Sequence, residues 1–257
     1  GRFYKDYVDY YQFDSFHPTI KSSYTILVPE NIKIDYKIAN GEINLTKETV
    51  NGYTKYNWVL EKDLGINQEE SYMPNNVDIV RFLHISTIKN WNTISNWYSD
   101  LVRSQKIVNA QVESAYQSIF PKGISGLSQE ERARKIYYYI MNNFNYSSVS
   151  FRQSGFIPQR PSKTISTKLG DCKDFSTLFI TLAEKAELNA NLVLISTNDY
   201  GQKSVILPSQ DFNHCIVKVN INNEDELMNA VKVSLGVASL GILTKICFAF
   251  TSFLVLK

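Results

Sequence analysis

The chain has 257 residues, 44% of them hydrophobic, and a formal net charge of +2. That length suits one large domain or two small ones, with an ordinary packed core. A charge balance so near neutral excludes a strong electrostatic case for nucleic acid or an anionic membrane surface. Three cysteines without a C-x-x-C pair exclude a disulfide framework and a cysteine-rich zinc site.

From the start to about residue 62 the pattern is extended. "SSYTILVPENIKIDYKI" and "GYTKYNWVLEKD" alternate β-branched and aromatic residues between Pro29, Asn40-Gly41 and Asn51-Gly52. Asn-Gly between apolar runs is a hairpin signal, because both turn positions need positive φ. An antiparallel sheet or sandwich follows from this. "SYMPNNVDIVRFLHIST" reads as a further extended segment around Pro74. The spacing of Ile94, Trp97, Tyr98 and Leu101 then predicts a helix.

The pattern is helical from about residue 106. Ser128-x-x-Glu131 is a capping box, which predicts a helix over 129–143. "NYSSVSFRQSGFIPQRPSKTIST" reads as a loop broken by Gly155, Pro158 and Pro161. "DCKDFSTLFITLAEKAEL" places Phe175, Leu178, Phe179, Leu182, Ala183 and Ala186 at helical spacing, with Asp171 as its N-cap. "NLVLIST" and "FNHCIVKVNI" read as strands. Strands first and a helix-plus-strand core second make an α+β chain of two domains.

Cys172 falls in the first turn of that helix, at the end of its buried stripe. Helix N-termini carry about half a positive charge, and such placements lower a thiol pKa to about 3.5–7.5. Lys173 adds a further positive charge. The expectation is an activated nucleophile whose own N–H can receive an oxyanion. The competing reading is a small apolar residue that fills a helix end.

A nucleophilic thiol needs a base, and the chain has three histidines. His17 and His84 lie in the extended first part and read as structural. His214 opens the strand "HCIVKV", where it shares one face with Ile216 and Lys218 while Cys215, Val217 and Val219 take the other. Packing of the His214 face on the cysteine helix would bring His214 to Cys172. A metal site from Cys172, His214 and Cys215 is disfavoured, because neighbouring strand residues point to opposite faces.

These residues carry a resemblance. "GDCKDFSTLFITLAEKAEL…LVLIST…FNHCIVKV" resembles the core of the transglutaminase-like superfamily, a papain-like cysteine fold, over about residues 125–225. The resemblance implies that Cys172 is the nucleophile and His214 the base of a cysteine enzyme acting on amide bonds, by hydrolysis or acyl transfer. It implies no cofactor and no metal. The family completes its triad with an aspartate on the next strand. Strand and loop lengths place that position in "EDELMNA", where Asn229 is the candidate and Asp225 the alternative.

The segment around "YNWVLEKDLGINQEESYMPNN" looks like the β-rich domain that precedes such cores in bacterial envelope proteins. That resemblance carries architecture only; together with the core's resemblance it suggests a periplasmic or envelope location, and the core's implies a peptide or protein substrate, an envelope glycan-peptide among the options. In this β-rich part and the helix after it, Trp58, Trp91 and Trp97 read as packing residues. The four cations Arg152, Arg160, Lys163 and Lys168 lie on a loop able to line the substrate cleft.

The expected domains are 1–105, β-rich and incomplete at its N-terminus; 106–226, the transglutaminase-like core; and 227–257, an apolar tail. This tail departs from the family, which makes the C-terminus atypical or truncated. Residues 233–256 are long enough to span a membrane, and a changed reading frame is the other explanation. Loss of the third triad residue would impair the enzyme, and the alternative function is an inactive peptide- or glycan-binding module of the envelope.

Overall fold

The computed structural model describes residues 6–66, 73–147, 155–197, 201, 206–228 and 250–255, with the side chains of 225–228 and 250–255 excepted. The chain divides into two compact units, Arg2–Ile94 with Asn198–Asp211, and Ser95–Thr197 with Phe212–Lys257.

The first unit holds β1 (Val8–Gln12), β2 (Thr19–Pro29), β3 (Asp35–Ala39), β4 (Asn44–Val50), β5 (Tyr53–Asp63), the short α1 (Asn76–Ile79) and β6 (Phe82–Ser86). These make two antiparallel sheets, ordered β1-β6-β3 and β2-β5-β4. Asn51 and Gly52 both have positive φ, 51° and 78°, and close the predicted β4–β5 hairpin. Asn40-Gly41 also has positive φ at both residues but closes no hairpin, because β3 pairs with β6 and β4 with β5. Its Asn40 amide instead donates to the carbonyls of Val77 and Val80. Trp58 is fully buried, with Tyr56 stacked on it at 5.7 Å and Tyr36 edge-on at 5.4 Å. A buried aromatic cluster of this kind is worth more than its area alone.

Residues 206–211 join this unit through side chains that no local pattern announces. Leu207 N–H donates to His84 Nδ1 at 3.2 Å, the Ser86 hydroxyl donates to the Pro208 carbonyl at 2.7 Å, and the Tyr10 hydroxyl donates to Asp211 at 2.7 Å. The boundaries 1–105 and 106–226 do not carry this return. His84 is fully buried with the Tyr10 ring stacked at 4.1 Å, which fits its reading as structural.

The second unit continues α2 (Trp91–Arg103), whose first four residues belong to the first. It then runs through α3 (Ala110–Ile119), α4 (Gln129–Asn143), β7 (Asn145–Tyr146), α5 (Pro161–Thr167), β8 (Leu169–Gly170), α6 (Cys172–Lys185), β9 (Asn189–Thr197), β10 (His214–Ile221), β11 (Glu224–Met228) and β12 (Phe250–Val255). Helix α4 begins on the predicted capping box, with Ser128 and Glu131 exchanging bonds at 3.2 and 2.8 Å. The stretch read as a loop contains α5, started by Pro161 in its first turn.

The strands form one antiparallel sheet, ordered β11-β10-β9-β12. Asn222 and Asn223, at φ 52° and 68°, make the tight β10–β11 turn. Asp225 therefore lies in a strand, not in the turn. Of the expected tail 227–257, residues 227 and 228 belong to β11 and 250–255 to β12, while 229–249, 256 and 257 lie outside the described residues. Among the described residues no helix is long and apolar enough to cross a membrane.

Candidate active site

Helix α6 is fixed at its start by a ring of short bonds. Asp171 accepts from the N–H groups of Lys173 and Asp174 at 3.1 and 3.2 Å, and Asp174 accepts from Asp171 N–H at 3.1 Å. That is a capping box built from two aspartates. Gln159 donates twice more to Asp174, through its N–H at 2.8 Å and its side-chain amide at 2.9 Å. Lys173 turns back to pair with Asp171, and both side chains are buried. The positive charge expected from Lys173 is thus matched by a carboxylate.

Two-residue strands β7 and β8 run parallel and aim the chain into this turn, with Tyr146 opposite Gly170. Asn145 N–H donates to the Lys168 carbonyl at 2.8 Å and Ser147 N–H to the Gly170 carbonyl at 2.9 Å. A Cβ on Gly170 would come within 2.8 Å of the Phe175 ring and 2.9 Å of Asp174, so no side chain fits there. From Cys172 to Ala183 every residue of α6 is buried, more than the single predicted stripe.

Cys172 is 4% exposed. Its sulfur accepts from the backbone N–H groups of Cys215 and Lys173. The Tyr146 hydroxyl bonds both the thiol and the N–H of Cys172, and the fully buried Tyr98 hydroxyl lies close to Cys172 and Cys215. Burial pushes the Cys172 thiol up to about 12, with the Asp171 carboxylate acting the same way against the two N–H groups and Lys173. The lowered pKa expected from the helix N-terminus is therefore corrected: desolvation outweighs the dipole. Burial also raises the Cys215 thiol well above its usual range.

The strand faces differ from the arrangement that would set the His214 face on the helix. Cys215 bonds Ser176 of α6 through its thiol, and its carbonyl accepts from the Ser176 hydroxyl at 3.3 Å. Ile216, from the His214 face, clusters with Val193 and Ile195 instead. Cys172 thus meets β10 at the backbone of Cys215, the residue that follows His214, and His214 itself is half-buried.

Of the two third-residue candidates, Asp225 is not brought to this point. Asp225 pairs across the sheet with Asn220, six residues along β10 from His214. Six residues of strand span about 20 Å, beyond the reach of two side chains. Asn229 lies outside the described residues, and so do Cys247 and Arg152.

A cleft of ≈ 290 Å³ opens beside the start of α6, with Gln159, Gly170, Asp171, Lys173 and Asp174 among its walls but not Cys172. Arg160 and Lys163 line a second groove, which also touches Gln159, while Lys168 caps α5 in the left-handed region at φ 55°. Among the described residues no three His, Cys, Asp or Glu side chains converge as metal ligands.

Tyr146 and Tyr98 are the contacts that sequence reasoning missed. In the sequence Tyr98 stands only as part of a helical stripe. Tyr146 stood in a polar stretch whose pairing with Leu169–Gly170 is non-local.

Residues 121–225 match the family model described as the Transglutaminase-like superfamily. A protein provisionally named a protease, from Parabacteroides distasonis, superposes with a TM-score of 0.62 at 16% identity, covering 90% of this chain and 44% of that one. A provisionally named cysteine protease from Cytophaga hutchinsonii gives a TM-score of 0.39 at 11% identity, over 96% of this chain and 78% of that one. A structure described as a TGase gives 0.34 at 13% identity, over 79% and 47%. The chain thus spans less than half of the Parabacteroides protein. No curated protein matches the chain. Residues 121–225 are thus similar to the transglutaminase-like superfamily, within an α+β chain whose N-terminal part is built from antiparallel sheets.

Proposed function

We propose that this core is a cysteine enzyme that cleaves or transfers amide-linked acyl groups of a peptide or protein, with Cys172 as nucleophile and His214 as base. The observation that carries the reading is the Cys172 thiol at the Cys215 N–H, one residue from His214. A thiol held neutral by burial does not wait as a thiolate. Its proton leaves for the His214 imidazole as the sulfur–carbon bond forms, and the carbonyl pair moves onto oxygen. Collapse breaks the carbon–nitrogen bond, and the imidazolium hands its proton to the leaving amine. Water or a second amine then releases the acyl group.

The cations Arg160 and Lys163 suit a substrate with a carboxylate, as an envelope peptide has. The second reading, an inactive binding module, is favoured by one observation: the Asp225 position on β11 is too far along the sheet to orient His214.

Casein tests the enzyme reading as substrate, with dansylcadaverine as acceptor amine. Peptide release or amine incorporation is expected from the chain and is abolished in Cys172→Ala and His214→Ala. Turnover that survives both substitutions overturns the assignment. Absence of turnover in the parent chain favours the binding module.

A further inference from the structure

The walls around Cys172 contain two tyrosine hydroxyls that the proposed mechanism leaves idle, those of Tyr98 and Tyr146, and the second is the one bonded to the nucleophile. Tyr146 is fixed from two sides. Its strand is bonded to the segment that leads into the cysteine, with Tyr146 opposite Gly170 and the Ser147 N–H on the Gly170 carbonyl at 2.9 Å. Its ring rests edge-on against Phe175, one turn beyond Cys172, at 6.2 Å between centroids. Only Asp171 separates Gly170 from Cys172, so the phenol has little freedom to leave the nucleophile. Its hydroxyl accepts from the Cys172 N–H and donates to the Cys172 sulfur.

Those two groups are the ones an attacked carbonyl must meet. The sulfur takes the carbon, and the N–H of the nucleophile's own residue takes the oxygen that becomes negative. A second donor beside that N–H is the usual complement of such a site. We infer that Tyr146 is a further catalytic residue, the side-chain donor that, with the Cys172 N–H, holds the oxyanion during attack and collapse. The inference rests on the reading of Cys172 as nucleophile.

The chemistry asks the phenol to donate and to keep its proton. Burial raises the Tyr146 hydroxyl above its usual range, and the neighbouring Cys172 and Asp171 charges act the same way, so it stays an O–H donor at neutral pH. In the resting chain that O–H is turned to the thiol. When the thiol proton passes to His214 and the carbon–sulfur bond forms, the sulfur no longer needs the donor. The phenol O–H then turns to the new oxyanion. No proton, electron or atom is gained or lost by Tyr146 in the cycle.

The rival role is a plug, since a hydroxyl on the Cys172 N–H stands where the substrate oxygen must come. The two roles give opposite results on removal of that one oxygen atom. Tyr146→Phe keeps the ring on Phe175, and its thermal unfolding midpoint checks that the core is intact.

The probe is carbon-13-labelled acetaldehyde. It forms a hemithioacetal on a reactive thiol, and the adduct's oxygen sits in the oxyanion site. Its dissociation constant is read by the carbon-13 resonance. The inference expects an adduct in the parent chain that is absent in Cys172→Ala and about tenfold or more weaker in Tyr146→Phe, the loss that goes with one hydrogen bond to a charged or partly charged oxygen. With any amide the parent turns over, Tyr146→Phe lowers kcat by about 10²–10³ with KM little changed. An adduct of equal or greater affinity in Tyr146→Phe overturns the inference and leaves Cys172 as nucleophile. An adduct that persists in Cys172→Ala, or none in the parent chain, overturns the nucleophile reading and this inference with it.

Discussion

Two fully enclosed titratable groups, one in each unit, show what separates a reactive site from a structural one. His84 on β6 and Cys172 on α6 are both held neutral by burial, which pushes the imidazole down to about 4 and the thiol up to about 12. Among the described residues His84 meets one donor, the Leu207 N–H, a stacked tyrosine and the charges of Asp211 and Lys37, and its Nε2 meets no partner there. Around Cys172 four groups from three elements converge: the N–H of Lys173, the N–H of Cys215, the Tyr146 hydroxyl and the nearby Asp171–Lys173 pair. A shifted pKa alone therefore does not mark a site. The convergence of groups that can take a proton, hold a charge and receive an oxyanion does.

The comparison can be broken most severely at the capping ring. Asp171→Ala removes the acceptor for two helix N–H groups and leaves the Lys173 ammonium buried without its carboxylate. Loss of one partner of a buried pair costs about 3–5 kcal/mol. A urea titration should show that loss with an unchanged slope, and a change below about 1 kcal/mol would show that Lys173 finds water instead.

Acid tests the first unit. A histidine whose folded pKa lies below its unfolded one contributes stability that is fully present above about 6.5 and is lost as pH falls through about 4. The shift corresponds to about 3 kcal/mol at most. His84→Leu should be less pH-dependent over that window while losing the Leu207 bond at every pH. Alkali tests the second unit with the opposite sign. Cys172 holds its proton more tightly when folded, so its contribution is present below the free-thiol range and lost as pH rises toward about 12. Alkylation of Cys172 by iodoacetamide should accordingly climb about tenfold per pH unit through neutrality. A plateau near pH 7 would show a preformed thiolate and restore the lowered pKa that the helix end suggested.

The smallest effect is expected where charges meet in water. Arg103 and Asp100 on α2 pair at 2.8 Å but remain 72% and 68% exposed. Arg103→Ala should change stability by less than about 0.5 kcal/mol.

What the sequence disclosed was local. Asp171 before Cys172, Ser128 with Glu131, and Asn51-Gly52 each specify their structure within four residues, and all three behave as read. What it withheld was tertiary. Asn40-Gly41 has the same turn chemistry as Asn51-Gly52, yet the strands beyond it choose other partners. The thiol's environment depends on how completely α6 is covered, which a stripe of apolar residues understates. Tyr146 reaches the cysteine through a two-residue parallel pair that has no periodic signature. Strand and loop lengths fix only a window for the third residue, whereas register decides its place: Asp225 stands opposite Asn220, and the paired length of β11 ends at Met228 opposite Val217, three residues short of His214.

The central claim is that Cys172 takes the acyl group and His214 takes the thiol's proton. Peptide mapping by mass spectrometry after exposure to p-nitrophenyl acetate tests it most directly. The account predicts a single acetyl group on Cys172 in the parent chain, none at that site in Cys172→Ala, and acetylation slowed by about 10²-fold or more in His214→Ala, the weight of a positioned base. Acetylation of Cys215 or lysines with Cys172 untouched, or an equal rate in His214→Ala, would contradict it.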